Sequence, residues 1–108
     1  MERIPKTTTY FYGKVSEAVQ RLAVGTEDIK DRLIGAGQVF LCVMPEGVPE
    51  ELREDVKWVR DQLTRFQPIG SEGALRATMR RIRKSTGVKI AKRILYIHAQ
   101  LQGYVEHP

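Results

Sequence analysis

The chain has one cysteine, two histidines and no long apolar run, and each scarcity removes a class of protein. A lone thiol, Cys42, closes no intramolecular disulfide, so a disulfide-stapled fold is excluded. Cys42 lies in Val39-Phe40-Leu41-Cys42-Val43-Met44, where a thiol is expected to act as a small buried hydrophobe. His98 and His107 with one cysteine cannot form the usual Cys/His zinc cage, and no Asp-x-Asp-x-Asp-Gly loop offers oxygens to calcium. No metal and no cofactor are expected. The first residues, Met1-Glu2-Arg3-Ile4-Pro5, lack the apolar core of a secretion signal, and no stretch approaches the roughly 18 apolar residues of a membrane span. A cytoplasmic protein without a membrane partner is the expectation. Also missing are a Gly-x-x-x-x-Gly-Lys phosphate loop, a Gly-x-Gly-x-x-Gly turn and a Gly-x-Ser-x-Gly elbow.

What is present suits one globular domain across 1–108. At 108 residues with 42% hydrophobic side chains, the chain can bury a core without a metal or disulfides, and disorder is a poor description. Residues 1–8 show no periodicity and read as a loose arm, with Thr7, Thr8 and Thr9 as candidate helix caps. Beyond them the apolar residues recur every three or four positions, the spacing of one helix face. The first helix carries Phe11, Val15, Ala18, Val19 and Leu22 and is expected to stop at a left-handed Gly25. Thr26 is the expected cap of a second, with Ile29, Leu33, Ala36, Phe40 and Val43; Gly35 and Gly37 weaken it, leaving helix and strand open over Val39–Val43 and suggesting close backbone approach. Pro49-Glu50-Glu51 starts a third helix bearing Leu52, Val56, Val59, Leu63 and Phe66, with an Asp61–Arg65 pair on its surface. Ser71 caps a fourth with Leu75, Met79 and Ile82, closed by Gly87. A fifth runs from Val88 to Gln102 with Ile90, Ala91, Ile94, Ile97 and Leu101, ending near Gly103. The sum is an all-α, compact bundle of about five short amphipathic helices, neighbours antiparallel.

Three segments, Leu22 to Leu33, Val48 to Arg53 and Arg76 to Ile82, resemble recurring blocks of small uncharacterised bacterial helical proteins. The likeness spans most of Val15 to Leu101. It implies a bacterial or bacteriophage accessory protein and assigns no activity to any residue.

Charge is divided unevenly. Residues 1–72 hold ten Lys and Arg against twelve Asp and Glu, whereas residues 73–108 hold eight against Glu106 alone. At about 100° per residue, Arg76, Arg80, Arg83 and Lys84 fall on the side of the fourth helix away from Leu75, Met79 and Ile82. Such a stripe suits a nucleic-acid backbone or an acidic protein partner; equally, it suits a solvated face or one complemented by Glu50, Glu51, Glu54 and Asp55. Ser85-Thr86-Gly87-Val88-Lys89 resembles the turn of a helix-turn-helix, but Arg83 and Arg93 stand where that motif buries small and large apolar residues. The aromatic trio Tyr10-Phe11-Tyr12 reads as half core, half surface.

Arg93-Ile94-Leu95-Tyr96-Ile97-His98 is similar to the Arg-x4-His motif of HEPN-domain ribonucleases, helical bundles that commonly act as dimers. That resemblance implies Arg93 and His98 as catalytic residues of a homodimer, the imidazole moving protons while the guanidinium steadies a phosphate. Ile94 departs from the motif's usual polar second position, and Arg93 and His98 flank opposite edges of the apolar stripe. The favoured reading is therefore a non-catalytic binding module using Arg76, Arg80, Arg83 and Lys84.

The four-three-four spacing of the third helix places Leu63 in the core, so Leu63→Ala is expected to lower stability by about 2 to 5 kcal/mol in urea unfolding. A loss below about 0.5 kcal/mol would put that face outside the core.

Overall fold

The computed structural model describes residues 5–42, 45–68 and 70–106. Lys6–Val24 form α1, entered through Pro5 at φ −55° and ψ 144°. Its carbonyl accepts from the N–H groups of Thr8 and Thr9, so the helix starts without a hydroxyl cap. The expected arm does not extend to residue 8: Thr7, Thr8 and Thr9 are helical, and Thr8 is buried. Gly25 does end α1, but at φ −69° and not in the left-handed region. It has no Cβ for another reason: the stem of Arg32 lies over it, with Cγ 2.5 Å from where a Cβ would stand.

Ile29–Phe40 form α2, capped by Asp28 and not Thr26. The Asp28 carboxylate accepts from the N–H groups of Lys30 and Asp31 at 2.9 and 3.2 Å, satisfying two of the donors that every helix start strands. The helix runs through both glycines. Val39 and Phe40 are helical, whereas Val43 lies outside the described residues. Cys42 follows in a turn and is exposed, its thiol donating to the Gln38 carbonyl, so the expected burial fails because the helix stops two residues short of it. Gly37 admits the Leu75 side chain and not another backbone, an added Cβ standing 2.9 Å from Leu75 Cδ1.

Two 3-10 turns, Pro45–Gly47 and Glu50–Leu52, lead into α3, Arg53–Leu63. Leu52, Val56, Val59 and Leu63 are buried as their spacing predicts. Because α3 ends at Leu63, Arg65 swings over the Phe66 ring, and Asp61 pairs with Lys57 at 2.8 Å in place of the expected Arg65. Ala74–Arg81 form α4, whose cap is Gly73 at φ 82°, a conformation natural to glycine, and not Ser71. Lys84–Glu106 form α5. The division between the last two helices falls at Ile82 and Arg83, earlier than predicted: Gly87 lies inside α5, as does Gly103. The segment that resembled a helix-turn-helix turn is therefore continuous helix.

Five α-helices and no strand among the described residues make the fold all-α. Its radius of gyration is 14.0 Å, close to the roughly 13 Å expected of a compact chain this long. The α1–α2 hairpin is antiparallel: Arg32 reaches the Leu22 carbonyl at one end, while Phe40 meets Phe11 edge-on and Gly47 abuts Thr7 at the other. Sequence neighbours do not all pair, however. The main contacts of α4 are with α2 and α3, and those of α5 are with α1, α2 and α3. One core joins them, with Phe11, Leu33, Phe40, Leu63, Ile90, Ile94, Ile97 and Leu101 fully buried.

Gly47 is the most closely approached glycine, since a Cβ there would stand 2.3 Å from the Thr7 carbonyl oxygen, a backbone atom that cannot swing aside. Gly47→Ala is expected to destabilise by about 1 to 3 kcal/mol in urea unfolding. Gly13→Ala, whose new Cβ meets nothing on an exposed turn of α1, should instead stabilise by about 0.5 to 1 kcal/mol. Equal effects at the two positions would contradict the docking of the Gly47 turn on α1.

Candidate nucleic-acid interface

The basic residues singled out in the sequence run from the first turn of α4 across its junction with α5, and do not share one helical face. Arg76 and Arg80 lie on α4, Arg83 in the break, and Lys84 opens α5. All four are exposed. Beneath them α4 is fixed by three contacts. Thr78, fully buried, accepts a hydrogen bond from the Phe66 backbone N–H at 3.0 Å. Leu75 fills the space above Gly37. The Lys30 ammonium donates to the Ile82 carbonyl at 2.9 Å, placing a cation at the negative end of the α4 dipole. Gly87 then lets the first turns of α5 close on Ile29, Lys30 and Leu33 of α2.

The four cations differ in what holds them. Arg80 forms an ion pair with Glu72 at 2.7 Å, and Lys84 lies 3.8 Å from the Asp28 carboxylate. The acids that meet these two cations are thus Glu72 and Asp28, not the Glu50, Glu51, Glu54 and Asp55 suggested by the sequence. The side chains of Arg76 and Arg83 make no hydrogen bond or ion pair with another described residue. Arg81, also exposed, stacks over Phe66. Of the acids expected to complement the stripe, Asp55 pairs with Arg93, and Glu51 accepts from the Tyr104 hydroxyl; both partners lie on α5. That bond holds the Glu51 carboxyl below its ordinary range and pushes the Tyr104 hydroxyl up.

Arg93 and His98 are engaged by different helices. The Arg93 guanidinium donates to Asp55 at 2.9 Å and sits 4.8 Å above the Trp58 ring, both on α3. His98 faces α1, where its Nε2 and the Ser16 hydroxyl share a 3.1 Å hydrogen bond and its ring stacks on Tyr12 at 5.4 Å. Among the described residues no three His, Cys, Asp or Glu side chains gather as a metal would require, and no helix is long and apolar enough to cross a membrane. His107 lies outside the described residues.

Sequence reasoning missed a second basic group, Lys89 and Lys92, which line a groove of about 540 Å3 between α3 and α5 with Trp58, Tyr96 and the Arg93–Asp55 pair. The spacing of 89, 92, 93 and 96 carries the signal, since those positions share one helix face. No protein-family model, no curated protein and no solved structure matches the chain.

Asp28 links the junction to pH. Its carboxyl is held below the ordinary aspartate range, foremost by the bond from the Asp31 N–H, then by the Lys30 N–H and the charges of Lys84 and Lys30. A lowered folded-state pKa contributes stability in full above the unfolded-state value and loses it as pH falls through the folded one. Asp28→Asn keeps an accepting oxygen but no charge. The melting-temperature advantage of the native chain over this variant should therefore be largest near neutrality and shrink on acidification below the ordinary carboxylate range. A difference independent of pH would show that the charge contributes nothing there.

Proposed function

We propose that this chain is a non-catalytic binding module whose basic C-terminal helices engage nucleic acid. The observation that carries the reading is the exposure of Arg76 and Arg83 with no acidic partner among the described residues, on a part of the chain where eight cations face one acid. Internal ion pairing would leave such a surface neutral; here it leaves part of the charge open to a polyanion. The ribonuclease alternative requires Arg93 and His98 to act on one phosphate. Within the chain each is held against a different helix, so no observation favours it over binding. The resemblance to small bacterial helical proteins fits an accessory role without adding a residue to the site.

Fluorescence anisotropy with labelled DNA and RNA across a salt series tests the proposal. Binding should weaken steeply with salt, and Arg76→Ala combined with Arg83→Ala should reduce the logarithmic slope on duplex DNA by about 1.8, at about 0.9 per phosphate contact. No binding at low salt, or binding indifferent to the double substitution, would remove this face as a nucleic-acid site; binding of an acidic polypeptide instead would assign it to a protein partner. RNA cleavage abolished by His98→Ala in a folded protein would replace the binding reading with the catalytic one.

A further inference from the structure

The groove between α3 and α5 combines features that the α4–α5 junction lacks. On α5, Lys89, Lys92, Arg93 and Tyr96 stand at spacings of three, four and seven residues, one face of the helix. Counting about 100° per residue, this face lies roughly 130° around α5 from Lys84, so groove and junction are separate surfaces. Trp58 of α3 forms the opposite wall.

Within the groove the charges are sorted. Asp55, its one acid, is taken by the Arg93 guanidinium at 2.9 Å, and the same guanidinium lies 4.8 Å over the indole of Trp58. Arg93 thereby neutralises the carboxylate and positions the tryptophan. Lys89 and Lys92 are exposed, and their side chains make no hydrogen bond or ion pair with another described residue. Tyr96 is 49% exposed, a large ring left to water on a helix that also exposes Val88 and Leu95. Two uncommitted ammonium groups thus stand beside two aromatic rings.

We infer that this groove is a stacking site for single-stranded nucleic acid, with phosphates held by Lys89 and Lys92 and a base laid on Tyr96 beside the Arg93-covered Trp58. The inference rests on the nucleic-acid reading above and names its substrate class. An acidic peptide would use the lysines but leave the rings idle. A duplex would also leave them idle, because its bases already stack on one another, whereas an unpaired base offers its face to any exposed ring.

Trp58 is the only tryptophan, so its emission reports on the groove alone. Titrating the full chain at low salt with an oligothymidylate should quench Trp58 saturably, and the same strand in a duplex should quench it far less. Tyr96→Ala should weaken single-strand binding about 5- to 100-fold, and Tyr96→Phe, which keeps the ring, should restore it. Lys89→Ala with Lys92→Ala should reduce the logarithmic salt slope by about 1.4, at about 0.7 per contact on a single strand. Far-ultraviolet circular dichroism checks that each variant is folded, and the comparison of single strand with duplex on the native chain stands without any variant. Oligothymidylate binding that leaves Trp58 emission unchanged and ignores Tyr96→Ala, yet is lost in Arg76→Ala plus Arg83→Ala, would overturn the groove and leave the junction. Absence of binding to either strand form would overturn both readings. Equal quenching by polyglutamate would assign the groove to an acidic protein segment and overturn the inference.

Discussion

Four helix ends meet at the first turn of α2, and the side chains of that turn partner backbone groups at three of them and the Lys84 ammonium at the fourth. Asp28 accepts from the opening N–H groups of α2 itself. Arg32 reaches back with Nη1 to the Leu22 carbonyl at 2.8 Å near the end of α1, and with Nε to the Glu27 carbonyl. Lys30 reaches the Ile82 carbonyl where α4 stops, and Lys84 at the start of α5 approaches the Asp28 carboxylate. A helix strands four donors at one end and four acceptors at the other, and leaving such groups buried without partners costs about 1 to 3 kcal/mol each. By meeting part of that demand in one place, the turn fixes where α1 ends, where α4 gives way to α5, and hence where the basic junction stands. No side-chain polar atom among the described residues is buried without a partner.

This arrangement explains which parts of the fold were legible in the sequence. The apolar stripes were, because burial acts on periodicity and needs no knowledge of the partner: Phe11, Val15, Ala18 and Leu22, Leu52 to Leu63, and Ile90 to Leu101 all reach the core. The boundaries were less so. Glycine carries two physical meanings, a left-handed stop and a missing Cβ for close packing, and a sequence alone does not separate them. Gly25 does stop α1, but without a left-handed turn and with the Arg32 stem over it, whereas Gly87 is no stop and accommodates Leu33 and Ile29 inside α5. The true break, at Ile82 and Arg83, has neither glycine nor proline. Ile82 is extended, at φ −75° and ψ 158°, with its side chain buried and its carbonyl held by Lys30, a residue 52 positions earlier. Tertiary contacts override local propensity there.

The candidate surface divides in the same way. Exposure of Arg76, Arg80, Arg83 and Lys84 followed from their place opposite apolar neighbours, but their electrostatic state did not. Glu72 and Asp28 come from a loop and from the cap of another helix, and they pair with two of the four cations that a count along the chain treats as free. Trp58 and Tyr96 gave a weaker signal still. An aromatic residue at helical spacing is usually core, and only the exposure of Tyr96 beside Lys92, with Trp58 half-buried across the groove, distinguishes these rings from packing material.

Two basic surfaces on one small bundle place different demands on a ligand. Across the junction the uncommitted groups are long, exposed side chains, Arg76 in the first turn of α4 and Arg83 in the break beyond it, and no described residue fixes their guanidinium planes. Such cations neutralise phosphates without the pre-set bidentate geometry that reads a base edge, so they contribute affinity and little sequence preference. In the groove, by contrast, Arg93 is fixed by Asp55 and Trp58 on α3, and the neighbouring ring of Tyr96 rides on the same rigid helix. A site built on packed helices loses less conformational freedom on binding than one built on free side chains. On the nucleic-acid reading, the junction would therefore govern salt-dependent attraction, while the groove would decide whether the bound strand is single or paired.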